Sequence, residues 1–351
     1  MPYNLATLMR PRLATVDALR GLAALSVAWF HFTNGTGVFQ DGWVRRSGHY
    51  GNLGVQVFFV ISGFIIPYTL QRASYQSRDF FAFLIKRITR LDPPYLVNLV
   101  FCIAVAYVAA VFPGFHGPWP HYTFGQIAAH LGYVNSIVHK VWVNPVYWSL
   151  GIEFQYYLLI GVVFPALVAG RTFVRFGVIA LLLLSSALFP DAALLFHYLP
   201  LFVCGILTFQ CKAGLLSTRS LLAALFVSIA TAWILIGFPA ACAAMITALT
   251  IRFVQLRPSK LTSFGLISYS LYLVHIPIGG KIVSLGSRFT HSVPQQILSL
   301  ATALAVTLAA AFLFYRFVEL PSQRLSSSIK YGTHRRTPPS RALAATAIHA
   351  D

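Results

Sequence analysis

The chain has 351 residues, of which 57% are hydrophobic, 15% aromatic and only 10% charged. Soluble domains carry about a quarter charged residues, so this composition excludes a soluble globular protein and describes a polytopic membrane protein. The net charge of +18 would fit nucleic-acid binding, but Lys and Arg fall in short loops between apolar runs, which excludes that class.

Ten apolar runs predict an all-α transmembrane bundle. They cover about Val16–Phe32, Gly51–Leu70, Pro93–Phe112, Pro145–Val168 and Phe176–Phe189. The rest are Ala192–Phe209, Leu221–Gly237, Phe238–Val254, Phe264–Leu285 and Gln295–Val318. Ten spans put both termini on one side. Of the 26 Lys and Arg, 20 then lie on the terminal side, 5 on the other and Arg20 inside the first span. The positive-inside rule makes that side cytoplasmic. A cleaved leader is not expected, because Arg20 interrupts the first apolar core and leader cores need about 7–15 apolar residues. The expected division is a membrane domain over 1–325 and a basic, disordered cytoplasmic tail over 326–351, facing lipid headgroups. No internal repeat or Gly-rich nucleotide loop is visible, and the four cysteines have no metal-ligand spacing.

In chain order, the first run carries Asp17 and Arg20, then His31. Eleven residues bring His31 back within about 20° of the Arg20 face, three turns and about 16 Å away. A cation and an imidazole on one stripe of an apolar helix imply a polar interior and a functional site. Small residues in Gly54–Ile66, Gly63 among them, predict a close helix crossing. Arg87 and Arg90, three apart, share a helical face that the sequence predicts to end at Pro93-Pro94. Two such guanidiniums grip phosphates, or anchor the chain at the cytoplasmic face. An outer loop over 114–144 is rich in aromatics and His. Its His116 and His121 lack a carboxylate at ligand spacing, so no metal site is expected.

The fourth run begins Tyr147-Trp148-Ser-Leu-Gly-Ile-Glu153. Glu153 lies about two turns in, near the expected depth of His31, and a buried carboxylate needs a partner; the imidazole or Arg20 is the sensible one. A structural Glu–Arg clamp is the alternative. The ninth run carries Ser268-Tyr-Ser-Leu-Tyr272-Leu-Val-His275-Ile-Pro277. Pro277 frees a carbonyl for a polar group, and membrane histidines often serve as such structural donors, so His275 reads as supporting. Glu319, near the end of the last run, reads as one half of a structural bridge to an arginine.

Together the stretches Asp17–His31, Gly54–Ile66, Arg87–Tyr95, Tyr147–Tyr157, Ser268–Pro277 and Tyr315–Pro321 resemble the membrane acyltransferase family called acyltransferase 3. The family's Arg-x10-His pattern falls on Arg20 and His31, its Arg-x-x-Arg on Arg87 and Arg90, and its Trp-Ser-Leu-x-x-Glu-Phe on Trp148 to Phe154. The resemblance implies O-acylation of sugars or other hydroxylated acceptors from cytoplasmic acyl-CoA, acetyl-CoA above all, in a bacterial inner membrane. His31 is then the expected base, or the brief carrier of the acyl group, Glu153 its orienting carboxylate, and Arg87 and Arg90 the CoA phosphate site. Arg20 lies between, on the pantetheine arm or the thioester, while Asp17, Trp148, Tyr272 and His275 support. No tightly bound cofactor is expected. The rival reading is a proton-coupled transporter or flippase, which also suits broken helices and buried Arg, His and Glu.

Overall fold

The computed structural model describes residues 13–39, 42–111, 118–289 and 292–332. Each of the ten apolar runs folds as helix, and among the described residues there is no strand. The first is α1 (Ala14–Phe30), followed by a short α2 (Trp43–Gly48), α3 (Gly54–Arg72) and α4 (Phe80–Val111). Beyond a small α5 (Phe124–Leu131) come α6 (Tyr147–Leu167), α7 (Thr172–Leu188), α8 (Leu195–Lys212), α9 (Thr218–Leu235) and α10 (Phe238–Phe253). A one-turn α11 (Lys260–Ser263) leads into α12 (Ser268–Val274) and α13 (Lys281–Gly286). The described chain closes with α14 (Val293–Phe314) and α15 (Leu320–Ser328).

Among the described residues, seven helical segments are long and apolar enough to cross a membrane, and α7 and α10 are shorter apolar helices. Large side chains such as Phe226, Trp233, Ile234 and Phe317 are exposed on the bundle, a surface that suits lipid and not water. At the centre α3 and α8 form the most extensive helix pair. A Cβ on Gly63 would overlap the Phe202 carbonyl, and one on Gly205 the Val60 carbonyl, so backbone meets backbone there. This is the close crossing that the small residues of α3 predict.

Two expectations change. The helix of Arg87 and Arg90 does not end at Pro93-Pro94; α4 continues through both for 32 residues. Prolines in membrane helices are tolerated when neighbours take up the disturbed backbone; Pro93 and Pro94 withdraw their N–H groups from the Thr89 and Arg90 carbonyls, and the next carbonyl along, Leu91, accepts from the Tyr269 hydroxyl at 3.0 Å. The predicted boundary at 325 falls inside α15, which folds back on α4. Ser326 Oγ donates to the Lys86 carbonyl at 2.8 Å, and Gly332 N to Asp79 Oδ1 at 3.2 Å. Residues 333–351 lie outside the described residues, as do residues 1–12 and His116.

The 118–144 segment is folded, not draped. His130 is fully buried, its Nδ1 2.8 Å from the Gln126 carbonyl and its Nε2 accepting from Val143 N at 3.1 Å. Burial pushes its pKa down, which keeps the ring neutral and able to accept. Asn144, also buried, donates to the Leu273 carbonyl at 3.1 Å. Pro277, four residues on, has no N–H to fill that carbonyl.

Candidate active site

Helices α1, α3, α4, α6 and α12 enclose a cavity of about 270 Å³. It follows α3 from Val55 to Ala73, eighteen residues or about 27 Å of helix. That is nearly the full ~30 Å of a hydrocarbon core. One end, at the basic α3–α4 connection, is walled by Lys86, Arg87 and Tyr331; the other reaches Phe58, Ser149 and Tyr272.

The predicted arginines converge on it. Arg87 and Arg90 both face the cavity, as their i, i+3 spacing on α4 requires, and Arg20 enters from α1. Arg87 Nη2 donates to Thr69 Oγ1 at 3.2 Å, and its guanidinium lies 5.4 Å from the Phe83 ring centre and 5.5 Å from that of Tyr157. Lys86 joins them: Nζ donates to the Ile329 carbonyl at 2.9 Å and sits 5.4 Å from the Tyr331 ring centre. Two carboxylates balance part of this charge. Glu319 Oε2 accepts from Ser270 N at 3.2 Å and Ser270 Oγ at 2.6 Å, and its Oε1 from Gln323 at 2.8 Å. Its neighbouring charges are Arg90 and Arg20, in keeping with the structural role the sequence assigns it. Glu153 accepts from Ser62 Oγ at 2.8 Å, and Tyr157 lies one turn on in α6.

Glu153 does not orient His31. The ring beside His31 is His275, with Nε2 3.3 Å from His31 Nδ1 and ring centres 5.0 Å apart. The helix register explains the difference. Ser149 of α6 and Tyr272 of α12 share a hydrogen bond of 2.6 Å. From that level Glu153 lies four residues further along α6 towards the basic end. His275 lies three residues the other way along α12, so the two are about 10 Å apart axially. Both histidines also sit outside the cavity walls; Tyr272 forms the wall, and its ring centre is 5.8 Å from that of His275.

The histidines meet through irregular backbone. His31 opens a π-helical turn over His31–Gly35, and His275 opens another over His275–Gly280. A third, Tyr315–Glu319, ends at the cavity carboxylate. Such turns widen a helix locally and recur at functional sites. Of the other predicted residues, Trp148 packs on Phe59 and Tyr198, and Asp17 lies where α1 meets Gly265, both away from the cavity walls. Sequence reasoning missed Lys86, Tyr157, Tyr269 and Tyr331 in the walls; only Lys86, adjacent to Arg87, gave a signal. No cluster of three metal-ligating side chains occurs among the described residues.

A family model described as an acyltransferase domain, acyltransferase 3, matches residues 13–316. The chain belongs to this family. Two relatives align with part of it. A putative acetyltransferase, ORF330, of Acidianus two-tailed virus is 31% identical over 156 residues, covering 43% of this chain and 39% of its own. The peptidoglycan O-acetyltransferase OatA of Listeria monocytogenes is 30% identical over 164 residues, covering 43% of this chain and 24% of its own. The chain thus spans well under half the length of the curated relatives it matches. No solved structure matches it. In this family member Arg20, Arg87 and Arg90 therefore meet in one cavity, while His31 stands just beyond the cavity's end.

Proposed function

We propose that this membrane acyltransferase moves an acyl group, acetyl by preference, from cytoplasmic acyl-CoA to a hydroxyl of a carbohydrate or other envelope or secondary-metabolite acceptor. The observation that carries the reading is the cationic cavity running along α3 towards Tyr272 and the histidines behind it. The acetyl preference draws on both acetyltransferase relatives and the glycan preference on the peptidoglycan O-acetyltransferase. The charge asymmetry supports a cytoplasmic basic end, and a bacterial inner membrane is the setting this reading adopts.

On this reading Lys86, Arg87 and Arg90 hold the CoA phosphates, since guanidiniums match phosphate geometry. Arg20 meets the arm next, and the pantetheine chain lies along α3. The acceptor hydroxyl, whose pKa is far above 7, needs a base near neutrality, and His31 is that base. Its Nε2 takes the hydroxyl proton as the oxygen bonds to the thioester carbon. The C–S bond then breaks, and the leaving thiolate recovers the proton as CoA thiol.

The test is transfer by purified protein in nanodiscs, with labelled acetyl-CoA and an envelope glycan fraction. The wild type should form a base-labile acetyl ester and His31→Ala none, while His31→Ala keeps its yield and acyl-CoA binding. Full transfer by His31→Ala removes the catalytic assignment. Glycan translocation without a covalent product would mark a carrier instead.

A further inference from the structure

The sequence gives His275 only a supporting place, as a donor to the carbonyl freed by Pro277. That carbonyl is Leu273 O, and Asn144 occupies it at 3.1 Å. His275 is therefore left for something else. It is fully buried, whereas His31 is only partly so.

The hydrogen bonds assign the protons. His31 Nδ1 lies 2.9 Å from the Val27 carbonyl, and His275 Nδ1 lies 3.2 Å from the Leu271 carbonyl. A carbonyl only accepts, so each Nδ1 carries its ring's proton and each Nε2 keeps a lone pair. The same local device, ring to i−4 carbonyl, sets both tautomers. His275 Nε2 then faces the His31 Nδ1 proton at 3.3 Å, with the rings tilted by 54° and not stacked. The His31 proton is shared between Val27 O and His275 Nε2, and His31 Nε2 is the lone pair left to act.

We infer that His275 is the positioning residue of His31, holding the tautomer that exposes Nε2 as base and stabilising the imidazolium formed when that nitrogen takes the acceptor's proton. This rests on the proposed role of His31. It replaces the orienting carboxylate that the sequence suggested. In a serine-protease triad an aspartate does this work, and there the wrong tautomer costs about 10⁴ in rate. A neutral imidazole orients the ring without a full charge, so the expected loss here is smaller.

The test compares His275→Phe, which keeps an aromatic ring but has no acceptor, with His275→Gln, which keeps an acceptor. His275→Phe should lower kcat about 10- to 100-fold with the acyl-CoA KM within twofold of wild type. His275→Gln should recover at least a third of the lost kcat on a logarithmic scale. Equal losses in the two variants, or wild-type kcat in His275→Phe, overturn the inference. If His31→Ala is inactive while His275→Phe is fully active, only the inference fails; if His31→Ala is active, the underlying reading fails too. A measurement on the wild type covers misfolded variants. With 15N-labelled histidine, magic-angle-spinning NMR should find the proton of His31 on Nδ1, and an Nε2–H tautomer overturns the assignment.

Discussion

Replacing Arg87 and Arg90 by alanine, singly and together, isolates the donor's phosphates from the rest of the substrate. Both guanidiniums line the cavity at the basic end, and Arg87 is held by Thr69 and by the Phe83 and Tyr157 rings, so it is preorganised for an anion. A hydrogen bond to a charged group contributes about 1.5–3 kcal/mol. Losing one converts to about a 10- to 150-fold rise in the acyl-CoA KM at about 1.4 kcal/mol per tenfold. The double variant should fall short of the product of the singles, since neighbours sharing one ligand are not additive. The control is an N-acetylcysteamine thioester, which has the reacting group and no phosphates. Its KM should be unchanged in every variant, because only the phosphate contact is lost. An unchanged acyl-CoA KM in the double variant would return both arginines to membrane anchoring. An equal loss on both donors would show that the cavity itself had collapsed.

Three further outcomes are expected. Gly63→Val forces a side chain into the Phe202 backbone at the α3–α8 crossing, and it should destabilise the bundle by about 1–3 kcal/mol or more, read as a lowered Tm in detergent; an unchanged Tm removes the crossing as a constraint. Glu319→Ala leaves Arg20 and Arg90 without their carboxylate and strips Ser270 of its acceptor, so it should destabilise by about 3–5 kcal/mol, whereas His31→Ala should leave Tm near wild type. Tyr75, in the α3–α4 connection, donates to the Gly161 carbonyl, and burial followed by the Asp79 charge pushes its pKa up to about 12. A tyrosine raised from 10.0 in the folded state contributes stability that is present below pH 10 and lost between about 10 and 12; Tyr75→Phe should lower Tm at pH 8 and flatten that alkaline loss.

The sequence read well where its signal was local. Apolar run length located the long helices though not the short α2, α5 and α15, the glycine of α3 marked its crossing, and the i, i+3 spacing put Arg87 and Arg90 in one cavity. The freed carbonyl below Pro277 was legible too, though not its donor, because Asn144 lies 129 residues away in sequence from Leu273. The pairing of Glu153 with His31 failed for a related reason. Depth counted from a helix end fixes a residue to within about a turn. Whether two helices bring their polar residues to one level depends on register set elsewhere, here by Ser149 and Tyr272. The π-helical turns at His31 and His275 add a rotation that a uniform 100° per residue does not contain. Pro93-Pro94 misled because proline statistics describe water-exposed helices, whereas a membrane bundle tolerates proline inside a helix such as α4.

The cavity's charge balance links its architecture to the proposed donor. Arg20, Arg87 and Arg90 line the same cavity as Glu153 and Glu319, so the formal charges of these five residues sum to a positive value inside a membrane bundle. Unpaired charges in such surroundings are expensive, so a surplus is retained only where something anionic arrives to offset it. Both carboxylates are held in place by neutral donors, Glu319 by Ser270 and Gln323 and Glu153 by Ser62. On the proposed function, a CoA thioester would bring its diphosphate to these cations and its uncharged arm along α3 to Tyr272. The anionic part thus stops where the cations are, and the reacting carbonyl travels on to the neutral histidine pair. The same argument bears on the rival carrier reading. A carrier must release its substrate at both faces, whereas cations concentrated at one end of a ~27 Å cavity favour an anion that binds and leaves by the same door. Donor binding should accordingly weaken steeply with salt, while turnover of the phosphate-free thioester should not.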